Sequence, residues 1–597
     1  MTPSSPVRPR SVTRRAGAYA ARGRDSAPLL LASGLSAESV AELLAPFGFE
    51  DSKRADDNIQ AMAGEPRSRE RLAKILDELL AAVARSADPD LALNHWERFL
   101  QAGLNRIQLF DYLIMAPRIL HLLCAIFGNS PAMAQTLIRD PALIYWLAED
   151  RVLTRRQSRL ELEREVRAAL ANVSAVELKL EALRRIRRRA MLRLGVRDLL
   201  RLAEVPETTA ALSDLACVLL QSAYEIVESE LQRRYGTPMH RDGKGRLVET
   251  GFAVVAMGKL GGGELNFSSD VDLIYVYASD EGETHLTAGR GQAPAKGLSG
   301  APIAVRDAMG HGTVPLLWQE PVPSIPNEEY FEYLARDLTR ALSDRTQEGY
   351  LFRVDLRLRA EGAVGRLARP LAGYEQYYRT RGQGWERLAL LKAWPVAGDR
   401  SVGRAFSRAV APFVYGLPHG RAGSRAASEV IEQVKAMKEM IDDRMTSRRQ
   451  ERRNVKLGLG GIREIEFIVQ AAQSLCGGRR PGLRDRSTMG GLEKLAFHRV
   501  LSAKARQTLE RAYLFLRDVE HKLQMVHDLQ THALPESSDE LARCAIRLGY
   551  GSADRRAAGR KFLADHRRHT ANVRRMFRSL FNVPARSALV KAARTLS

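Results

Sequence analysis

Apolar positions recur at three- and four-residue spacing over most of the chain, and the pattern changes only near its middle. Leu72, Ile75, Leu76, Leu79, Leu80 and Val83 mark one face of an amphipathic helix. Helical texture runs from about residue 29 to 210. Within it Leu104 to Ile114 opens one block, and Ser130-Pro131 reads as an N-cap followed by proline at the first helical position. The run from Leu183 to Leu202 predicts a basic helix: Leu183, Ile186, Ala190 and Leu194 face a core and the arginines face out. Leu215 to Tyr235 predicts a helix that leads into a strand, Glu328 to Leu342 another helix, and helical spacing returns from about residue 404 to the end.

Two stretches break this pattern. Gly251 to Tyr277 reads as an apolar strand, a glycine-rich turn and a second strand. Gly349 to Arg359 alternates, with Phe352, Val354, Leu356 and Leu358 on one side and Leu351, Arg353, Asp355, Arg357 and Arg359 on the other, which predicts a strand. Residues 280–327 hold many Gly, Pro, Ala and Thr with little periodicity and read as a mobile insertion. Residues 1–28 are rich in Arg, Ser, Pro and Ala and read as a disordered basic tail rather than a transit peptide, because no apolar face recurs. The expected division is therefore a tail (1–28), a helical domain (29–210), a domain carrying the strands (211–403) and a helical bundle (404–597).

At 597 residues the chain exceeds one hydrophobic core. No run of about 18 apolar residues predicts a membrane span. Cys124, Cys217, Cys476 and Cys544 lie far apart, form no metal or disulfide pattern and fit a reducing cytoplasm. The net charge of +22 raises the possibility of nucleic acid, but the excess is spread along the chain and aromatic residues are too sparse to interleave with the basic runs.

The candidate chemistry lies in the strand region. Side chains alternate along a strand, so Asp270 and Asp272 share a face, while Val271, Leu273 and Tyr275 take the other. Two adjacent carboxylates repel unless a cation sits between them, and oxygen-only ligands suit Mg²⁺. Gly258, Gly261, Gly262 and Gly263 just upstream allow backbone N–H groups to approach an anion. This is not a Walker A loop, because Leu260 stands where a metal-binding hydroxyl is required. Asp355 is the natural third ligand, and the arginines beside it suit phosphate. A second glycine-rich loop, Asn454 to Gln470, places Gly460 and Gly461 before a helix start with Arg463, Glu464 and Glu466 in its first turns; it reads equally as a tight interhelix turn. His527-Asp528 has no partners at metal-site spacing, and His285 and His311 carry no signal.

In combination, Gly-Lys-Leu-Gly-Gly, Leu-Asn, Ser-Ser-Asp-Val-Asp, Arg353-Val-Asp-Leu-Arg-Leu-Arg, Glu361-Gly, Tyr377-Tyr, Gly384-Trp-Glu-Arg-Leu and Gly460-Gly-Ile-Arg-Glu-Ile-Glu-Phe resemble the glutamine synthetase adenylyltransferase/adenylyl-removing family. The details are closest to its amino-terminal, adenylyl-removing half; one copy of the signature is present, and the family's usual proline is Ala360 here. The resemblance implies an α+β, mostly helical fold, with a polymerase-β-like nucleotidyltransferase domain flanked by helical domains. It implies Mg²⁺ on Asp270, Asp272 and Asp355, with phosphate held by Gly258, Lys259, Gly261, Gly262, Gly263, Ser268, Ser269, Arg357 and Arg359. Gly460, Gly461, Arg463 and Glu464 would form a loop at the cleft. The implied reaction is phosphorolysis of AMP from the tyrosine of adenylylated glutamine synthetase, giving ADP; ATP-dependent adenylylation by the same fold and a basic nucleic-acid scaffold are the alternatives. PII signalling protein is the implied regulator.

Overall fold

A computed structural model of the protein describes residues 25–32, 34–286, 324–416, 420–551 and 554–581. Helices dominate and two small sheets occur, so the class is α+β and mostly helical, as expected. The described residues fall into two compact units, one from residues 1–154, 525–529 and 535–562, the other from 155–524, 530–534 and 563–597. The expected boundary at residue 210 lies inside the second unit.

The first unit is helical throughout its described residues. The apolar face read from sequence is buried: Leu72, Leu76, Leu79, Leu80 and Val83 are fully enclosed. Trp96 meets Phe127 edge-on at 5.2 Å, and Phe99 and Phe110 complete the same core. Ser130 caps its helix as predicted, its hydroxyl accepting from the Met133 N–H at 3.3 Å with proline at the first turn. The fold begins before residue 28, where the tail was expected to end: Ser26 is buried, its N–H donates to Asp77, and Pro28–Leu31 is helical; residues 1–24 lie outside the described residues.

The second unit contains both sheets. β1 (Thr237–Arg241), β2 (Leu247–Glu249) and β5 (Glu283–His285) form a three-stranded sheet in the order β2-β1-β5. The larger sheet contains β3 (Phe252–Ala256), β4 (Val271–Tyr277), β6 (Val354–Asp355), β7 (Ala368–Pro370) and β8 (Trp394–Gly398), along the path β6-β4-β3-β8 with β7 also on β4. Every residue of β3 is buried, which explains its unbroken apolar run. An aromatic stack covers one face of this sheet: Tyr224 on Phe252, Phe252 on Phe331, and Phe331 on Tyr277 at 4.6 Å. The Val205–Tyr235 and Asn327–Ser343 helices supply Tyr224 and Phe331. Val205–Tyr235 has the length and mean hydropathy (1.4) of a membrane span, but two thirds of that window is buried within the fold, as a core helix requires. By alternation Asp272 points to the face opposite Tyr275 and Tyr277.

Three expectations need correction. First, Gly349 to Arg359 is not a strand along its length: only Val354 and Asp355 pair. Leu351 and Phe352 are adjacent and both buried, and both N–H groups converge on the Leu342 carbonyl at the end of a helix. Second, the basic helix, Val176–Leu199, does not turn all its arginines outward; Arg184, Arg193 and Arg197 are buried. Arg197 pairs with Glu207 at 2.7 Å, Arg184 with Glu181 at 3.0 Å, and Arg188 and Arg189 hold Glu348 and Glu165. Third, the stretch 280–327 is ordered at both ends. β5 pairs with β1, and Thr284 and Ile325 exchange a backbone hydrogen bond of 2.9 Å. The Asn327 amide donates to the Met239 and Glu281 carbonyls; residues 287–323 lie outside the described residues.

Candidate active site

β4 and β6 run parallel with Val271 beside Val354 and Asp272 beside Asp355. Asp270 precedes β4 by one residue. All three carboxylates line one cavity of about 490 Å³ with Gly258, Lys259, Ser269, Arg357, Lys456 and Arg463. Burial, then Asp355 and Asp270, push the Asp272 carboxyl up to about 6. Asp355 shifts the other way, below its ordinary range, chiefly through its hydrogen bonds from Arg357. Arg357 forks onto both Asp355 oxygens, Nε donating to Oδ1 at 3.0 Å and Nη2 to Oδ2 at 2.5 Å. Arg353 Nε holds Asp270 at 2.7 Å, and the same guanidinium reaches the Ser268 carbonyl and the Tyr350 hydroxyl.

Gly258 takes φ +55°, and a Cβ there would lie 2.2 Å from Asp272 Oδ2. The glycine thus permits the turn and leaves room for the carboxylate. The neighbouring glycines serve a different purpose from the one expected. Gly258–Gly261 is a single helical turn, and the N–H groups of Gly261, Gly262 and Gly263 donate to the Met257, Gly258 and Leu260 carbonyls. Those donors are used internally and are not offered to a phosphate. A Cβ at Gly261 would come within 2.0 Å of the Lys392 carbonyl, so close backbone packing explains that residue. Ser269 lines the cleft, while Ser268 is buried and offers its carbonyl to Arg353.

Lys259 lines the cleft but its ammonium meets Glu520 at 2.7 Å. Burial would raise the Glu520 carboxyl; Lys259, His532 and Arg517 instead hold it well below its ordinary range, so it stays ionised. Arg359 is corrected outright as a phosphate ligand. It is buried, and its guanidinium donates to the carbonyls of Leu356, Ala363, Gly365 and Arg366. The alanine at 360 therefore leaves Arg359 firmly placed, as the clasp of its own turn.

The second glycine loop reaches the cleft through part of its length. Arg463 lines it and donates to Glu466 at 3.2 Å. Glu464 does not: it is fully enclosed and pairs with Arg574 at 2.8 Å and Lys438 at 3.2 Å. Gly460 has φ +71° and lies so near the Thr570 carbonyl that a Cβ would stand 1.9 Å from it. Gly461 is packed against carbonyls of its own loop.

Sequence reasoning missed much of the wall. Lys392 is buried between Glu264 and Glu466, at 3.0 Å from each, with Thr488 beside it. Arg517, fully buried, donates to the Glu264 carbonyl at 2.6 Å and to the Asn266 side chain, whose oxygen also faces His521 at 3.0 Å. The Gly-Glu-Leu-Asn motif is thus held by a helix some 250 residues downstream. Trp385, Leu388, Met437, Phe467, Gln470 and Gln530 also line it. Trp385, Leu388 and Phe467 stand inside the quoted motifs and Gln470 ends the second glycine loop, but no spacing marked them as lining, and Met437 and Gln530 lie outside every motif.

Among the described residues no three His, Cys, Asp or Glu side chains already sit close enough to hold a metal ion. In the cleft, Arg353 and Arg357 draw Asp270 and Asp355 toward themselves. The donor chemistry nevertheless fits a hard divalent cation: all oxygen, three like charges, and Asp272 destabilised in its ionised form. A larger cavity, about 1200 Å³, borders β8 and is lined by Arg159, Arg167, Arg400, Arg404 and Arg408 among others. It contains none of the three carboxylates, so chemistry rather than volume selects the smaller cleft.

Residues 120–296 and 318–409 match the family model for glutamate-ammonia ligase adenylyltransferase. The chain carries a domain of that family. Residues 435–581 match the model for GlnD PII-uridylyltransferase. Curated relatives include the bifunctional glutamine synthetase adenylyltransferase/adenylyl-removing enzymes of Thioalkalivibrio sulfidiphilus and Nitrosococcus oceani. The first is 35% identical over 86% of this chain and 45% of the relative. The second is 36% identical over 79% of this chain and 43% of the relative. That of Mesorhizobium japonicum is 36% identical over 72% and 39%. The chain spans less than half the length of these relatives. Both cleft walls fall within matched segments, the carboxylates in the first family's and Lys456, Arg463 and Glu466 in the second's. The family match also skips residues 297–317, inside the stretch read as an insertion.

Proposed function

We propose that this chain is a metal-dependent nucleotidyltransferase, its strand region built like polymerase β, that removes AMP from adenylylated glutamine synthetase by phosphorolysis. The observation that carries the reading is the pairing of Asp272 with Asp355, beside Asp270, in a cleft entered by the Gly258 turn. The motif details, from Gly262-Gly-Glu-Leu-Asn-Phe to Gly460-Gly-Ile-Arg-Glu-Ile-Glu-Phe, favour the removing over the adding activity.

Asp270, Asp272 and Asp355 would hold Mg²⁺, which when bound neutralises charge on the reacting phosphoryl oxygens. An oxygen of inorganic phosphate attacks the phosphorus of the AMP–tyrosine diester. The bond from phosphorus to the tyrosine oxygen breaks, the phenolate leaves and takes up a proton, and ADP forms. Arg353 and Arg357 orient two of the carboxylates, and the Arg357 fork fixes the Asp355 rotamer. Trp385, Leu388 and Phe467 offer apolar surface that suits a nucleobase. Placement and charge neutralisation carry the rate, as in other phosphoryl transfers.

The match of residues 435–581 to a PII-uridylyltransferase model supports PII signalling protein as a regulator; the proposed compartment is the cytoplasm. The basic-scaffold alternative is weakened by arginines engaged internally, among them Arg184, Arg197, Arg359 and Arg517. The test is to incubate the purified chain with adenylylated glutamine synthetase, phosphate and Mg²⁺. ADP release is expected. Its absence, or undiminished release by an Asp272→Asn variant, rejects the reading. Labelled ATP with unmodified glutamine synthetase tests the reverse, adenylylating activity, which the relatives' names also carry.

A further inference from the structure

Five cationic side chains line the cleft: Lys259, Arg357, Lys392, Lys456 and Arg463. Four are matched to carboxylates. Lys259 holds Glu520, Arg357 holds Asp355, Lys392 holds Glu264 and Glu466, and Arg463 holds Glu466. Among the described residues Lys456 is the one cleft cation with no such partner. Its backbone, by contrast, is closely fixed. The Asn454 side chain accepts from the Lys456 and Leu457 N–H groups at 3.1 and 2.8 Å. The Lys456 carbonyl accepts from the Arg463 N–H at 3.0 Å, and the Val455 N–H donates to the His532 carbonyl at 2.8 Å. A rigid loop therefore presents a free ammonium to a cleft that also holds three carboxylates.

That arrangement has a chemical reading. A compact ammonium on a flexible stem binds phosphate oxygens as a point charge. The arginines that the motif suggests for this task are engaged elsewhere, and the glycine amides are closed within their own turn. We infer that Lys456, with Arg463 beside it, is the cation that binds the substrate's phosphate oxygens in this cleft. The phosphate subsite then comes from the 435–581 segment and the acidic residues from the 120–409 region, so the site is incomplete without both. The inference rests on the nucleotidyltransferase reading above.

The test titrates the full chain with Mg·ADP by calorimetry, with adenosine as a control that has no phosphate. Lys456→Ala is expected to weaken Mg·ADP binding about ten- to hundredfold, the loss of one charge-assisted contact. Adenosine affinity should be unchanged, and Lys456→Arg should stay within about threefold of the wild type. Unaltered thermal unfolding of Lys456→Ala shows that the fold is intact. Equal Mg·ADP affinity in Lys456→Ala and wild type overturns the inference, and so does a wild-type chain with no measurable Mg·ADP affinity. Lys456-dependent binding without ADP release from adenylylated glutamine synthetase would sink the phosphorolysis reading and leave the phosphate subsite standing.

Discussion

Asp272 and Asp355 are direct neighbours on parallel strands, yet their carboxyls shift in opposite directions. Asp355 is held ionised by Arg357, while Asp272 is half-buried and has no arginine hydrogen-bonded to it. This asymmetry sets the first prediction. With its carboxyl raised to about 6 against an ordinary 3.8, native Asp272 binds more proton than the unfolded chain does between those values. Stability attributable to Asp272 therefore falls as pH rises through that window. Asp272→Asn should remove the fall and stabilise the metal-free chain at pH 7.5 by about 1–2 kcal/mol. Urea unfolding at pH 5 and 7.5 without divalent cations checks it; a variant less stable than wild type at pH 7.5 contradicts it.

A buried Lys392 joins Glu264 and Glu466. Burial would raise the Glu466 carboxyl, but Lys392 and then Arg463 keep it well below its ordinary range. Its contribution is present above about pH 4.5 and is lost as pH falls below that. Lys392→Met leaves Glu264 buried without its cation and Glu466 with Arg463 alone, and should cost about 3–5 kcal/mol at pH 7. Chemical denaturation should also show a flattened acid limb.

Arg359 stands in a motif that suggests phosphate binding, yet its donors meet four backbone carbonyls. Arg359→Lys should lower stability by about 2–3 kcal/mol by leaving acceptors unmet. The KM for phosphate should stay within about twofold of the wild type. A large rise in that KM with unchanged stability would restore the motif's suggestion.

The two glycine loops should respond differently to an added methyl. Gly258→Ala pushes against the Asp272 carboxylate, a side chain that can move, so the loss should fall mainly on kcat, by tenfold or more at about 1–2 kcal/mol of stability. Gly460→Ala meets the Thr570 carbonyl, which is backbone. There the loss should be mainly in stability, about 3 kcal/mol or more. Parallel turnover and unfolding measurements separate the two.

Where function depended on local pattern, the sequence was a good guide. Strand alternation brought Asp270 and Asp272 to one face, and spacing alone found the buried stripe from Leu72 to Val83. Where it depended on distant partners, the sequence was silent. Lys259 finds Glu520 across 261 positions, and Glu464 finds Arg574 across 110. Neither pairing leaves a local signal, so Lys259 read as a phosphate ligand and Glu464 as part of a loop at the cleft. The strand expected from Gly349 to Arg359 failed for a related reason. Its alternation was genuine, but a helix end captured Leu351 and Phe352 and a tight turn captured Arg359, leaving two residues to pair.

The central claim is that Asp270, Asp272 and Asp355 together form a divalent-cation site. Mn²⁺ can stand in for Mg²⁺ and be counted directly by its free-ion paramagnetic resonance signal during titration of the full chain. The account predicts saturable Mn²⁺ binding that Mg²⁺ displaces and that Asp272→Asn and Asp355→Asn each weaken at least tenfold. Wild-type affinity retained in both variants would contradict it.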